Sequence, residues 1–433
     1  MRNYLKNIFA IKNNEFVIVA WSFLYFFSLL AAYYILRPVR DAMAIVGGVQ
    51  NIPWLFTGTF LIMLLVSPLF SLIASRYPRK IFLPWVYYFF ILNILFFFLA
   101  FTYSESNHIW IARVFFIWIS VFNLFVVSVF WSFMADIYNK DQSRRLFGLI
   151  SAGGSIGAII GPIITSSIVV FIGFKNLLPI SVILILLAVY CIHQLKKLTS
   201  KQKYNYSENH IRSEKPIGGT SLDGIRLMLK MPYFRMISGS MVLSSFLGVT
   251  IYMYMAELVN QNYSNASEHT QIFAIIDILT NTLSLISQLF FVRYSIKKLG
   301  VGVTLTILPI VSTIGFILLS INPIFIILAI FQIFRRSIGF GFSKPTSDML
   351  YTVVSRNARY KTKNFIETAV FRGGDVIATW VIKMLNLGLS TISLICIPVT
   401  LIGVILALLI GNQYNKFYKN QCIRHSYVYS RVY

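Results

Sequence analysis

Twelve apolar runs, each about as long as a bilayer-spanning helix, constrain this chain more than any motif it carries. Read with a window of about 19 residues, they fall at roughly 17–36, 53–74, 81–102, 108–135, 146–172 and 177–195, and then at 232–258, 270–291, 301–321, 323–343, 364–388 and 390–411. A hydrocarbon core about 30 Å thick takes about 20 apolar residues in a helix, so each run has the length to cross. An outer-membrane barrel is excluded, because its strands read as short alternating segments. Only 12% of the 433 residues are charged, half of the roughly 25% usual in soluble domains. The fold expected is an all-α membrane protein with twelve transmembrane helices in two six-helix bundles. No small-residue cleavage site precedes the first run, which therefore reads as an uncleaved helix.

Lysine and arginine orient the spans. With the N-terminus inside, 28 of the 38 basic residues fall in cytoplasmic segments. They include Arg76, Arg79 and Lys80, then Lys140, Arg144 and Arg145, and in the second half Arg293, Lys297 and Lys298. The opposite loops, such as 103–107 and 259–269, carry almost none, so both termini are expected in the cytoplasm. This asymmetry also accounts for the formal charge of +24 as membrane topology rather than nucleic-acid binding. The expected partition is a cytoplasmic N-terminus (1–16), a first bundle (17–195), a polar linker (196–231), a second bundle (232–411) and a basic tail (412–433). Cys191, Cys396 and Cys422 are too few and too far apart for a disulfide framework, and no Cys/His spacing matches a metal site. No cofactor is expected. With no nucleophile–base pair and no soluble catalytic domain, an enzyme is not expected either.

The two halves repeat. The loop Ser75-Arg76-Tyr77-Pro78-Arg79-Lys80 has its counterpart in Val292-Arg293-Tyr294-Ser295 with Lys297-Lys298, at an offset of 217. The basic loops that lead into Gly153-Gly154 and Gly373-Gly374 match at 220. Gly153, Gly157 and Gly161-Pro162 recur every four residues; with no Walker lysine and no preceding strand, they read as a small-residue face for close helix packing rather than a phosphate loop. Six plus six parallel repeats, a central linker and an arginine-rich loop between spans two and three resemble the major facilitator superfamily. The resemblance implies a substrate held near mid-membrane between two rocking bundles, in a cavity lined by spans one, four, seven and ten.

Charges inside the spans mark the candidate site, since each Arg or Lys at the bilayer centre costs roughly 2.5–3.5 kcal/mol. Arg37, Arg40 and Asp41 in span one stand at i, i+3 and i+4, on one face. Span four carries Arg113, span seven Glu257, span eight Asp277, and span ten Arg335, Arg336, Lys344 and Asp348. Span eleven carries Glu367, Arg372, Asp375 and Lys383. Six cations on the presumed cavity helices would cost on the order of 15–20 kcal/mol facing lipid, so they must face water, pair or snorkel. For Arg113 snorkelling competes with a site role, and for Arg37, Arg40 and Asp41 an internal ion-pair lock does. Arg335 and Arg336 point about 100° apart, so at least one is expected to face the cavity. With few acids to balance them, the cavity reads as cationic and suited to a polyanion.

Ile35-Leu36-Arg37-Pro38-Val39-Arg40-Asp41 resembles the first-helix motif of the ATP/ADP translocases, the NTP/NDP exchangers of intracellular bacteria and plastids. Phe130-Trp131-Ser132-Phe133-Met134-Ala135-Asp136, Lys344-Pro345-Thr346-Ser347-Asp348 and the stretch from Arg359 through Glu367 to Arg372-Gly373-Gly374-Asp375 resemble the same branch. The resemblance implies a carrier of nucleotides or related phosphorylated anions, monomeric and seated in a bacterial inner membrane, whose partners are its small anionic substrate and the bilayer. The chain departs from the exchangers where Arg40 and Asp375 stand in place of lysines and Ser347 in place of a basic residue. A proton-coupled carrier, in which Asp41, Glu257 or Asp277 titrates, and a non-transporting receptor on the same scaffold are the other readings.

Overall fold

The computed structural model describes residue 12 and residues 15–76, 79–104, 108–203 and 222–429. Every regular element among them is helical. In chain order these are α1 (Phe16–Val46), α2 (Ile52–Arg76), α3 (Arg79–Tyr103), α4 (His108–Ile137), α5 (Lys140–Ile172) and α6 (Leu177–Lys203). Then come α7 (Leu222–Lys230), α8 (Pro232–Asn262), α9 (Ala266–Ile286), α10 (Val292–Ile321) and α11 (Phe325–Ile338). The last are α12 (Lys344–Leu350), α13 (Arg356–Phe365), α14 (Phe371–Leu385) and α15 (Leu389–Tyr429). Most of the expected linker, 204–221, lies outside the described residues.

Ten helical stretches among the described residues are long and apolar enough to cross a membrane. The number falls below twelve for two reasons. Residues 266–321 form one continuous stretch, in which the expected loop at 292–299 is helical and the break comes at Gly300, with φ 79°. The eleventh run bears Glu367, Arg372, Asp375 and Lys383, too many charges for an apolar span, and holds a π segment at Ile366–Val370. Two more π segments, Ser287–Phe291 and Gly339–Ser343, link α9 to α10 and α11 to α12.

The chain divides into two compact units. Unit one comprises Met1–Arg212 with Val259–Asn281, and unit two Ser213–Leu258 with Thr282–Tyr433. In unit one α1 is central, packed on α4, α5 and α6. Small residues let α5 approach it backbone to backbone: a Cβ on Gly153, Gly157 or Gly161 would meet the carbonyl oxygen of Phe23, Phe27 or Ala31 at 2.5, 2.4 and 2.6 Å. Beside this seam, aromatic rings fill the volume; Phe26 stacks on Phe130 at 4.1 Å, and the buried Tyr25 and Tyr87 hydroxyls share a 2.6 Å hydrogen bond. Pro162 has no N–H, which leaves the carbonyl four residues earlier without its helical donor. Asn281 on α9 donates to that Ala158 oxygen at 2.7 Å, while Gln271 donates to Ser166 O at 3.1 Å. These bonds tie α9 to α5.

The base of unit one is closed by a buried carboxylate. A capping box between Asn139 and Gln142 starts α5, and the free Gln142 amide donates to Glu15 Oε1 at 3.0 Å. Arg145 reaches the same oxygen at 3.0 Å, and the Lys12 amide donates to Oε2. Burial alone would raise the Glu15 carboxyl, but the hydrogen bonds from Gln142, Lys12 and Arg145 outweigh it and hold the group below its ordinary 4.5. A carboxylate held low in the fold contributes stability that is complete above its unfolded value and is lost as pH falls through the lowered one. Melting temperatures of wild type and Glu15→Gln between pH 7 and 3 should therefore converge below about 4.5. Parallel curves would place the acid sensitivity elsewhere.

Candidate functional site

In unit one the helical spacing of α1 does bring Arg37, Arg40 and Asp41 to one side, but each guanidinium has a carboxylate. Arg37 Nη1 lies 3.6 Å from Asp277 Oδ1 on α9, and that acid is 1% exposed. The Arg37 head also lies 5.5 Å from the Tyr34 ring centre. Arg40 donates twice to Asp41 Oδ1, from Nη2 at 2.6 Å and from Nε at 3.0 Å, with its guanidinium 5.2 Å from the Phe116 ring centre. Two cations against two acids leave this cluster formally neutral. Arg113 is placed differently: its Nε donates to Gly47 O at 2.9 Å and its head lies over Trp110 at 4.6 Å. There it caps the carbonyl end of α1, the end a helix dipole leaves negative.

Unit two holds the remaining candidates. Lys344 Nζ contacts Glu367 Oε1 at 2.7 Å and Asp348 Oδ1 at 3.3 Å, and Lys363 completes the square, 2.7 Å from Asp348 and 3.9 Å from Glu367. This tetrad is also neutral and partly open to solvent, where ion pairs contribute little. It joins α12 to α13 and the π segment Ile366–Val370. Arg372 lies 3.6 Å from the buried Asp375, which also accepts a hydrogen bond from Ser245 on α8. Glu257, near the end of α8, is exposed, and Arg336 is half-buried.

Arg335 stands apart. Ten residues into α11, it lies about 15 Å along the helix from Phe325, near the middle of a hydrocarbon layer about 30 Å thick. Its Nη2 donates to Ser244 O at 2.7 Å, its enclosed Nε has no hydrogen-bond partner, and no carboxylate pairs with it among the described residues. Room for the head comes from Gly248, one turn along α8, where a Cβ would stand 3.0 Å from Nη1. Sequence reasoning missed Ser244 and Gly248, because a backbone carbonyl and a missing side chain carry no chemical signature, and Ser245, because its hydroxyl is one of several along α8. Among the described residues no three His, Cys, Asp or Glu side chains gather as for a metal.

A helical membrane protein with buried charges inside its spans has the build of a solute carrier. The Major Facilitator Superfamily model matches residues 16–365, and the chain belongs to that superfamily. Comparison with curated protein sequences gives no match. Among solved structures, a bacterial homologue of the iron transporter ferroportin is similar at 13% identity, with a TM-score of 0.62 over 92% of this chain and 98% of the other. A bacterial homologue of the human lysosomal transporter Spinster is similar at 11% identity and TM-score 0.59, covering 94% and 99%. The nucleoside transporter NupG is similar at 16% identity and TM-score 0.54, covering 94% and 100%. At such identities the likeness is one of fold.

Proposed function

We propose that this membrane transporter carries nucleotides or related phosphorylated anions by alternating access. Arg335 is the observation that carries the reading. A guanidinium near mid-membrane without a carboxylate is costly unless an anion completes it, and its planar fork matches phosphate oxygens in pairs. The motifs around Arg37, Lys344 and Arg372 that resemble the ATP/ADP translocases support the same substrate class. Arg37 and Arg40 enter the reading as exchangeable partners: a polyanion competing for either would free Asp277 or Asp41. Both termini are proposed to lie in the cytoplasm of a bacterial cell, with the transporter in the inner membrane as a monomer. A proton-coupled carrier is the second reading, supported by the burial of Asp277 and Asp375 inside the spans, at 1% and 6% exposure.

Uptake of labelled ATP, ADP and phosphate into cells expressing the chain, with and without internal preloading, tests both. Nucleoside di- and triphosphates should compete with the labelled substrate, and nucleosides, amines and neutral sugars should not. Equal competition by a nucleoside and its triphosphate would remove the phosphate reading. Uptake that preloading leaves unchanged, yet that rises with an inward proton gradient, would favour the second.

A further inference from the structure

A recess of about 400 Å³ opens in unit two. Its walls are the end of α7, the start of α8 and the far turns of α15, and they include Lys230, Tyr233, Gln413, Lys416 and Phe417. Depth is the first clue. Gln413 follows Leu389 by 24 residues, about 36 Å along α15 at 1.5 Å per residue. That passes a hydrocarbon core about 30 Å thick and enters the headgroup layer, which brings the whole bilayer to about 40–45 Å.

Chemistry is the second. The floor is aromatic, with the Tyr233 and Phe417 rings 5.3 Å apart, and the Tyr233 hydroxyl is already committed to Leu350 O at 2.9 Å. Lys230 and Lys416 are both exposed, and neither forms an ion pair or hydrogen bond among the described residues. No acid lines the recess. Along α7, Leu227 and Met228 pack on the core while Arg226, Leu229 and Lys230 face outward. Leu229 is 59% exposed and Tyr418 54%, an apolar display that water disfavours and acyl chains would cover.

The geometry points to a binding site for an anionic glycerophospholipid. Lys230 and Lys416 hold the phosphate, Gln413 offers its amide to the headgroup, and the chains run past Leu229. A free phosphate ion would satisfy the two ammonium groups and leave the aromatic floor and Leu229 uncovered, so the lipid is the occupant that uses every wall. This site is independent of the substrate proposed above.

Purified full-length protein in a non-ionic detergent provides the test, with phosphatidylglycerol, phosphatidylcholine and inorganic phosphate titrated in turn. Binding is read by native mass spectrometry and by the melting temperature. Phosphatidylglycerol should bind and raise the melting point; the other two should do neither. A basic residue near a membrane surface contributes about fivefold to anionic lipid binding, so Lys230→Gln with Lys416→Gln should weaken binding roughly 30-fold and Lys416→Gln alone about 5-fold. Both variants should melt like wild type without lipid, and the double arginine variant should bind normally. An unchanged phosphatidylglycerol titration in the glutamine variants, or an equal shift from inorganic phosphate, would overturn the lipid site.

Discussion

Replacing Arg335 by methionine is expected to raise the melting temperature of the substrate-free protein and to weaken substrate binding by roughly 10- to 150-fold. The two effects have one origin. In the free protein the guanidinium has the Ser244 carbonyl and, among the described residues, no carboxylate, at a depth where a cation costs roughly 2.5–3.5 kcal/mol on the insertion scale. Methionine keeps the length of the side chain and removes the charge. The loss in binding follows from hydrogen bonds to a charged group, worth about 1.5–3 kcal/mol, at about 1.4 kcal/mol per decade of affinity. Arg40→Ala should behave in the opposite way, because it strands the buried Asp41 carboxylate that Arg40 now pairs and so lowers stability. Melting curves and a nucleoside-triphosphate titration on the two purified variants make the comparison. If the Arg335 variant binds normally and melts lower, its guanidinium serves the scaffold and the phosphate reading fails with it.

Gly157→Ala is expected to cost more than about 3 kcal/mol and to abolish most folded protein. A single added methyl would stand 2.4 Å from Phe27 O and 3.0 Å from Ala31 N. Overpacking a core costs about 1–3 kcal/mol when side chains can yield. Here the obstacle is the backbone of the central helix, so α1 and α5 must separate along their length. Gly148→Ala is the internal control. It lies on the same helix with nothing within 4 Å of the added methyl, and alanine in a helix interior gains about 0.5–1 kcal/mol over glycine. Yield and melting temperature should therefore move in opposite directions for the two variants. A Gly157→Ala protein with wild-type stability would mean that α1 and α5 do not meet along this seam.

The seam itself was legible in the sequence, because glycine every four residues puts bare backbone on one side of a helix. The spans were legible for an equally local reason: fitness for hydrocarbon is a property of composition. The run at 53–74 corresponds to the helix Ile52–Arg76, and that at 108–135 to His108–Ile137. The loop expected at 292–299 was a different matter. Its arginine and lysines suit water, yet they suit a helix just as well, and the chain stays helical until Gly300 turns to positive φ.

The candidate site was legible as a set of residues and not as a set of partners. Hydropathy identifies Arg37 and Asp277 as out of place in lipid. Their pairing joins positions 240 residues apart, and no local pattern encodes such a contact. Arg335 and Arg336 were separable only by angle. What distinguishes Arg335 is the gap left by Gly248 and an oxygen on the backbone of Ser244, both on another helix.

The π segments bear on how the two halves of the chain came to differ in length. From Arg76 to Gly153 in the first half, and from Arg293 to Gly373 in the second, the spacing grows by three residues. Each π turn closes its hydrogen bond one residue later than an α turn, and so holds one residue more. Gly339–Ser343 and Ile366–Val370 both fall inside the longer interval, while the described residues of the shorter one contain no such turn. Two of the three additional residues are thus absorbed as wider turns within continuous helices, without longer loops. A residue added to an α turn would rotate every later side chain by about 100°, whereas one housed in a π turn is taken up there and leaves the α turns on either side in register. Lys344 and Asp348 stand in the α segment that follows Gly339–Ser343, and Arg372 and Asp375 in the one that follows Ile366–Val370, so these charges sit on α turns that the wide turns leave undisturbed.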